Sequence, residues 1–175
     1  DYETFIEKPP LYIWIQCLSF KLGGVSEFSA RLPNAILGIL SILFLYLIGI
    51  NISNQKFALY WCMAYCCSLL PHFYFKSGII DPLFNLLIFL SIYFITSSYK
   101  HIDKPLKKLL LISIAGILTG LAILTKGPLA FGIIILCWMI FLFIYRSIIK
   151  PDYRSFIIFV SFSFITSFLW YGIDL

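Results

Sequence analysis

"FSARLPNAILGILSILFLYLIGI", residues 28–50, carries one charged side chain, Arg31, and is otherwise almost wholly apolar. A helix needs about 17–25 such residues to cross the hydrocarbon core of a bilayer, and this stretch is long enough. The rest of the chain is of the same kind. Of its 175 residues 61% are hydrophobic, 19% aromatic and only 12% charged, whereas a soluble domain is about half apolar and a quarter charged. A water-facing globule cannot bury that much apolar surface, so lipid must be the solvent.

Working outward, further spans are expected at about 57–75, 79–97, 106–124, 128–146 and 154–171. The fold class is therefore an all-α, polytopic integral membrane bundle of about six helices over 28–175. The turns between spans carry breakers: "NISNQK", Pro71, "KHIDKP", "KGP" and "KPD". Pro33 and Pro82 fall in the first turns of their spans, where a missing N–H is tolerated. The five cysteines show no paired spacing with histidines, so they read as small apolar residues rather than zinc ligands. The chain opens on Asp1 and stops just after an apolar run, at "FLWYGIDL". It is read as a piece of a longer protein, truncated at both ends.

Charge sets the orientation. Lys56, Lys100, Lys104, Lys107, Lys108, Arg146, Lys150 and Arg154 fall in loops on one side, with Asp103 and Asp152 as the acids there. That side is cytoplasmic by the positive-inside rule, and the net charge of +5 is explained without nucleic acid as a partner. Lys8, Lys21, Arg31, Lys76 and Lys126 fall on the other side, each near an acid or a proline at a membrane boundary. The rule leaves these bases unexplained, and they point to function on the extracytoplasmic face of the inner (plasma) membrane.

Residues 1–27 read as the end of an extracytoplasmic loop. Within them "PPLYIWIQCLSFKLG", residues 9–23, is too short to span and has a polar side at Gln16, Ser19 and Lys21. An interfacial helix is expected there, with Tyr12 and Trp14 at headgroup depth among membrane lipids. Pro9 and Pro10 hold Glu7 and Lys8 just ahead of it. A lysine at a helix start can bind phosphate through charge and dipole, or simply pair with its neighbour among headgroups. Asp81, followed by Pro82 at the mouth of a span, is either a helix cap or a working carboxylate, and the two roles are compatible. Lys126 breaks two apolar runs at "LTKGP", where it either snorkels or faces a cleft. His72 and His101 suggest neither a base nor a ligand.

Three segments, taken together, resemble the polyprenyl-phosphate-dependent family C (GT-C) glycosyltransferases, in particular the lipid A aminoarabinose and protein O-mannosyl transferases. "EKPPLYIWIQCLSFKLGGVSEFSARLPNAILGIL" is similar to the family's acid-Lys-Pro-Pro-Leu-aromatic stretch. "SGIIDPLFNLLIFLSIYF" resembles a later segment with a single Asp, and "LAILTKGPLAF" a Leu-Thr-Lys-Gly-Pro turn. The resemblance runs from about residue 5 to about residue 146. It implies a GT-C fold and inverting transfer of a sugar from a polyprenyl-phosphate donor to an acceptor hydroxyl on lipid, glycan or protein. It makes Asp81 and Glu7 catalytic, and gives Lys8 and Lys126 the donor phosphate. Tyr12 and Trp14 would contact the donor lipid. A divalent metal is an open cofactor, with Glu7 the candidate for holding it. The family's first acidic motif would precede Glu7 by some twenty residues and lies outside the chain, as does the C-terminal part. The piece is therefore expected to be inactive by itself. A transporter or lipid-linked-sugar flippase is the alternative, but it calls for charges near mid-membrane and two symmetric halves.

Overall fold

The computed structural model describes residues 9–147 and 152–171. Within them the chain forms eight α-helices and no strand: α1 (Leu11–Gly23), α2 (Glu27–Ile52), α3 (Gln55–Cys67), α4 (Leu69–Lys76), α5 (Asp81–Ser98), α6 (Pro105–Lys126), α7 (Leu129–Ile144) and α8 (Tyr153–Tyr171). A short 3-10 turn, Tyr99–His101, follows α5. Three helical stretches are long and apolar enough to cross a membrane: Glu27–Ile52, Asp81–His101 and Pro105–Lys126. Leu129–Ile144 and Tyr153–Phe168 are apolar but shorter. The span expected at 57–75 is α3 followed by α4, broken at Ser68, whose ψ of 136° is extended. Pro71 causes the break, because its ring clashes with the carbonyl four residues back, and that residue is Cys67, the last of α3.

The chain falls into two compact units, residues 12–83 and residues 1–11 with 84–175. In the first, α2 packs on α3 and α4, and α1 docks on the first half of α2 through hydrogen bonds. Ser26 caps α2 by accepting from the Ser29 N–H at 3.2 Å. Pro33 lies inside α2 and cannot donate to the Ser29 carbonyl, the partner that a residue at that position would have had. The Ser19 hydroxyl on α1 donates to that carbonyl instead, at 2.6 Å. Gln16 Nε2 reaches the next carbonyl, Ala30, at 3.4 Å. Gln16 and Ser19, two residues of the polar side read from the sequence of α1, are thus the ones that grip α2.

In the second unit α6 is central, packing on α7 and α8. Gly116 and Gly120, one turn apart, bring α8 into backbone contact: a Cβ on Gly116 would lie 2.7 Å from the Phe159 carbonyl, and one on Gly120 2.8 Å from that of Ser163. Small residues at this spacing allow close helix approach in membranes, where packing must replace the hydrophobic drive. Between α7 and α8 the packing is aromatic. Trp138 meets Phe156 and Phe159 with ring centres 6.0 and 5.3 Å apart, and Phe131 stacks on Phe159 at 6.0 Å. Helix α5 joins α6 through Ser91, which donates to the Ala115 carbonyl at 3.0 Å and lies 2.8 Å from the Thr119 hydroxyl.

Candidate active site

Asp81 is the first residue of α5. Its carboxylate therefore stands in the first turn, where the positive end of the helix dipole favours a negative charge. The segment leading to it, between α4 and α5, has no regular structure of its own and is held from α2. Asn34 is fully buried, and its Nδ2 donates to the carbonyls of Ser77 at 2.6 Å and Ile79 at 2.8 Å. A longer contact, 3.4 Å, reaches the Tyr74 carbonyl. On the other side of the amide, Asn34 Oδ1 accepts from the Tyr12 hydroxyl at 3.2 Å. One neutral amide thus ties α1, α2 and the residues just before Asp81 together. Burial pushes the Tyr12 hydroxyl above its ordinary pKa, which keeps it a donor.

This arrangement changes the reading of Tyr12. Expected at headgroup depth as a lipid contact, it is 2% exposed and its ring and hydroxyl belong to the protein interior. Trp14, on the opposite side of α1, is 47% exposed and keeps an outward position. Asn34 was not singled out from the sequence. The available signal is an amide one residue after a proline inside a span, a position where a polar group must find partners.

Lys126 ends α6, and its ammonium lies 5.6 Å from the centre of the Phe84 ring in the first turn of α5. The turn that follows requires glycine: Gly127 has φ +91° and its N–H donates back to the Ile123 carbonyl at 2.7 Å. Glu7 and Lys8, the sequence's catalytic and phosphate-binding candidates at the opening motif, lie outside the described residues. Lys21 is exposed on α1. Arg31 pairs with Glu27 one turn away at 3.5 Å on the exposed side of α2. His72, set aside from the sequence, lines a groove of about 330 Å³ at the α3–α4 break with Tyr65, Pro71, Phe75 and Lys76. Lys76 and Phe75 also line a smaller cavity of about 210 Å³ with Arg31, so two of the bases left unexplained by charge asymmetry share one wall.

Among the described residues no group of three or more His, Cys, Asp or Glu side chains could hold a metal ion. The one metal candidate from the sequence, Glu7, lies outside them.

Long apolar helices make this a polytopic membrane protein, and the acid at the mouth of one of them, Asp81, is its candidate site residue. The chain belongs to the dolichyl-phosphate-mannose-protein mannosyltransferase family, whose model matches residues 7–171. It is 29% identical over 167 residues to an uncharacterized protein of Aquifex aeolicus (strain VF5), covering 94% of this chain and 35% of that one. A second uncharacterized protein of the same organism is 32% identical over 130 residues, 74% of this chain and 25% of its own length. Among solved structures, apo ArnT from Cupriavidus metallidurans superposes with a TM-score of 0.86 at 18% identity, over 97% of this chain and 32% of ArnT. The fold is therefore the GT-C fold of that structure, as the sequence resemblance implied. The chain spans about a third or less of each of these proteins.

Proposed function

We propose that the whole protein is a membrane glycosyltransferase. It moves a sugar from a polyprenyl-phosphate donor to an acceptor hydroxyl (on lipid, glycan or protein) at the extracytoplasmic face of the inner membrane, with inversion at the anomeric carbon. The observation that carries this reading is Asp81: a carboxylate in the first turn of a span, on a segment fixed by Asn34, in a chain of this family. The acceptor hydroxyl attacks the anomeric carbon and gives its proton to Asp81 acting as general base. The bond to the donor phosphate breaks, and the polyprenyl phosphate leaves with the electron pair. Lys8 and Lys126 offset the charge gathering on that phosphate, an interaction stronger in the transition state than in the ground state. Glu7 is the second acid assigned to the reaction.

The test uses the full-length protein in membranes or detergent. Asp81→Asn is expected to abolish transfer while leaving thermal stability nearly unchanged, since asparagine is also well tolerated at a helix start. Lys8→Ala is expected to cut turnover at saturating donor at least tenfold. Lys21→Ala, on the exposed side of α1, should change it less than threefold. General attraction to anionic headgroups is worth only about 1 kcal/mol per base, whereas losing a contact made to a leaving group costs roughly 2–4 kcal/mol. Equal, small losses for the two lysines, both relieved by added anionic lipid, would make Lys8 a headgroup anchor and sink its catalytic role.

A further inference from the structure

At the base-rich end of the second unit, α7 and α8 do not close on each other. The aromatic rings between them hold the helices apart and leave a groove of about 440 Å³. Ile135, Trp138, Met139 and Leu142 form one wall, a single stripe of α7 at helical spacing, with Tyr153 and Phe156 of α8 facing them. The groove is open to its surroundings: Met139 is 58% and Tyr153 69% exposed. In a bilayer that opening faces acyl chains.

The mouth of the groove is charged in a particular way. Asp152 lies there, but its negative charge is satisfied within the protein. Oδ2 accepts from the Lys108 ammonium at 2.8 Å and the Ser155 hydroxyl at 2.9 Å, and Oδ1 from the Arg154 N–H at 3.1 Å. The Lys108 hydrogen bond, more than the other contacts, keeps this carboxyl below the ordinary carboxylate range despite its partial burial. Lys108 also lies 5.4 Å from the Tyr99 ring centre, and the Tyr99 hydroxyl accepts from Trp138 Nε1 at 2.9 Å. The other cations remain at the rim. Arg154 lies at 6.0 Å from the ring centre of Tyr153, which lines the groove, and Arg146 at 5.4 Å from that of Phe143, the residue after the lining Leu142, so each guanidinium is carried on an aromatic ring in or next in sequence to the lining. Lys100 and Lys104 before α6 and Lys107 in its first turn follow, against one further acid, Asp103. The described residues of this end therefore offer an apolar slot topped by an excess of positive charge.

We propose that this groove binds one anionic glycerophospholipid of the leaflet at the base-rich end, the cytoplasmic leaflet by charge asymmetry. One acyl chain lies along the α7 stripe, and the phosphodiester is held by Arg146 and Arg154. An apolar slot alone would take any chain, and a basic surface alone would attract any anionic membrane. The two together select a single lipid with both features, and arginine's planar fork suits a phosphate. The site is separate from the glycosyl-transfer reading and does not depend on it.

The test is lipid retention by the purified full-length protein in a neutral detergent. Native mass spectrometry would compare dioleoyl phosphatidylglycerol with dioleoyl phosphatidylcholine, which have identical chains. The wild type is expected to bind phosphatidylglycerol at least tenfold more tightly. Arg146→Gln with Arg154→Gln, both at exposed positions, should bring that preference below threefold by weakening phosphatidylglycerol binding more than phosphatidylcholine binding. Met139→Trp, which fills the groove, should weaken phosphatidylglycerol binding at least tenfold. A wild-type preference below threefold overturns the inference. So does a preference that survives the double arginine variant, or phosphatidylglycerol binding that Met139→Trp leaves unchanged, since the lipid then sits elsewhere.

Discussion

Tyr12 and Tyr99 are both buried tyrosines, 2% and 7% exposed, and each hydroxyl meets a second polar side chain. The regions around them rest on different physics. Tyr12 donates to Asn34, whose amide is spent on two backbone carbonyls. No member of that chain changes its charge near neutral pH. Tyr99 accepts from Trp138 and lies under the Lys108 ammonium, which is itself bound to Asp152. That chain ends in an ion pair whose lysine and aspartate side chains are 13% and 29% exposed. The neutral clamp specifies where the backbone before Asp81 runs and should be indifferent to pH and salt. The charged cluster anchors the end of a helix near water and should respond to both.

The comparison breaks most visibly at Asn34. Asn34→Leu strands the Ser77 and Ile79 carbonyls and the Tyr12 hydroxyl, and each unmet buried group costs about 1–3 kcal/mol. The expected loss is roughly 3–5 kcal/mol in total, read as a large fall in the unfolding temperature of the full-length protein, with turnover falling alongside. A variant within about 1 kcal/mol of the wild type would show that the clamp holds nothing. Tyr12→Phe removes one donor and should cost less, about 1–2 kcal/mol, with activity partly kept. Asp152→Asn should cost least, at or below about 1 kcal/mol.

The pH arm sharpens the contrast. The folded Asp152 carboxyl holds its proton more weakly than the unfolded one. Its contribution is therefore complete above the unfolded value, about pH 4, and fades as pH falls through the lower folded value. Wild type and Asp152→Asn should converge in unfolding temperature on acidification below about pH 4. The difference between wild type and Asn34→Leu should stay constant over the same range. A parallel acid dependence in both pairs would erase the distinction.

Much of this architecture can be read from the chain because lipid imposes simple rules. Apolar length gave the helices, prolines and lysines their ends, and "PP" at 9–10 the start of α1. The resemblance carried by "EKPP", "GIIDP" and "LTKGP" led to the family. What sequence reasoning missed depends on contacts distant in the chain. Gln16 and Ser19 are polar wherever they face, and only the path of α2, whose Ser29 carbonyl Pro33 leaves open, turns them inward. Asn34 finds its partners more than forty residues away, and no local period marks that. Pro71 was visible as a breaker, but the break falls three residues earlier, because a proline ring disturbs the turn before it. Lys108 and Asp152 meet across 44 positions, so an expected loop charge proved to be one member of a half-buried pair.

Pro33 has a further consequence, for how the protein is made. It leaves α2 one rung short at Ser29, and Ser19 supplies the missing donor from α1. Away from water an unmet carbonyl is costly, so α2 on its own would enter the bilayer with a fault at its boundary end. Chains emerge from the ribosome N-terminal end first, which means α1 is already outside the exit tunnel when Ser29 appears. The order of synthesis thus matches the order of repair. Cut out and transplanted as a lone anchor, α2 would carry the defect with it, while with α1 attached it brings its own remedy.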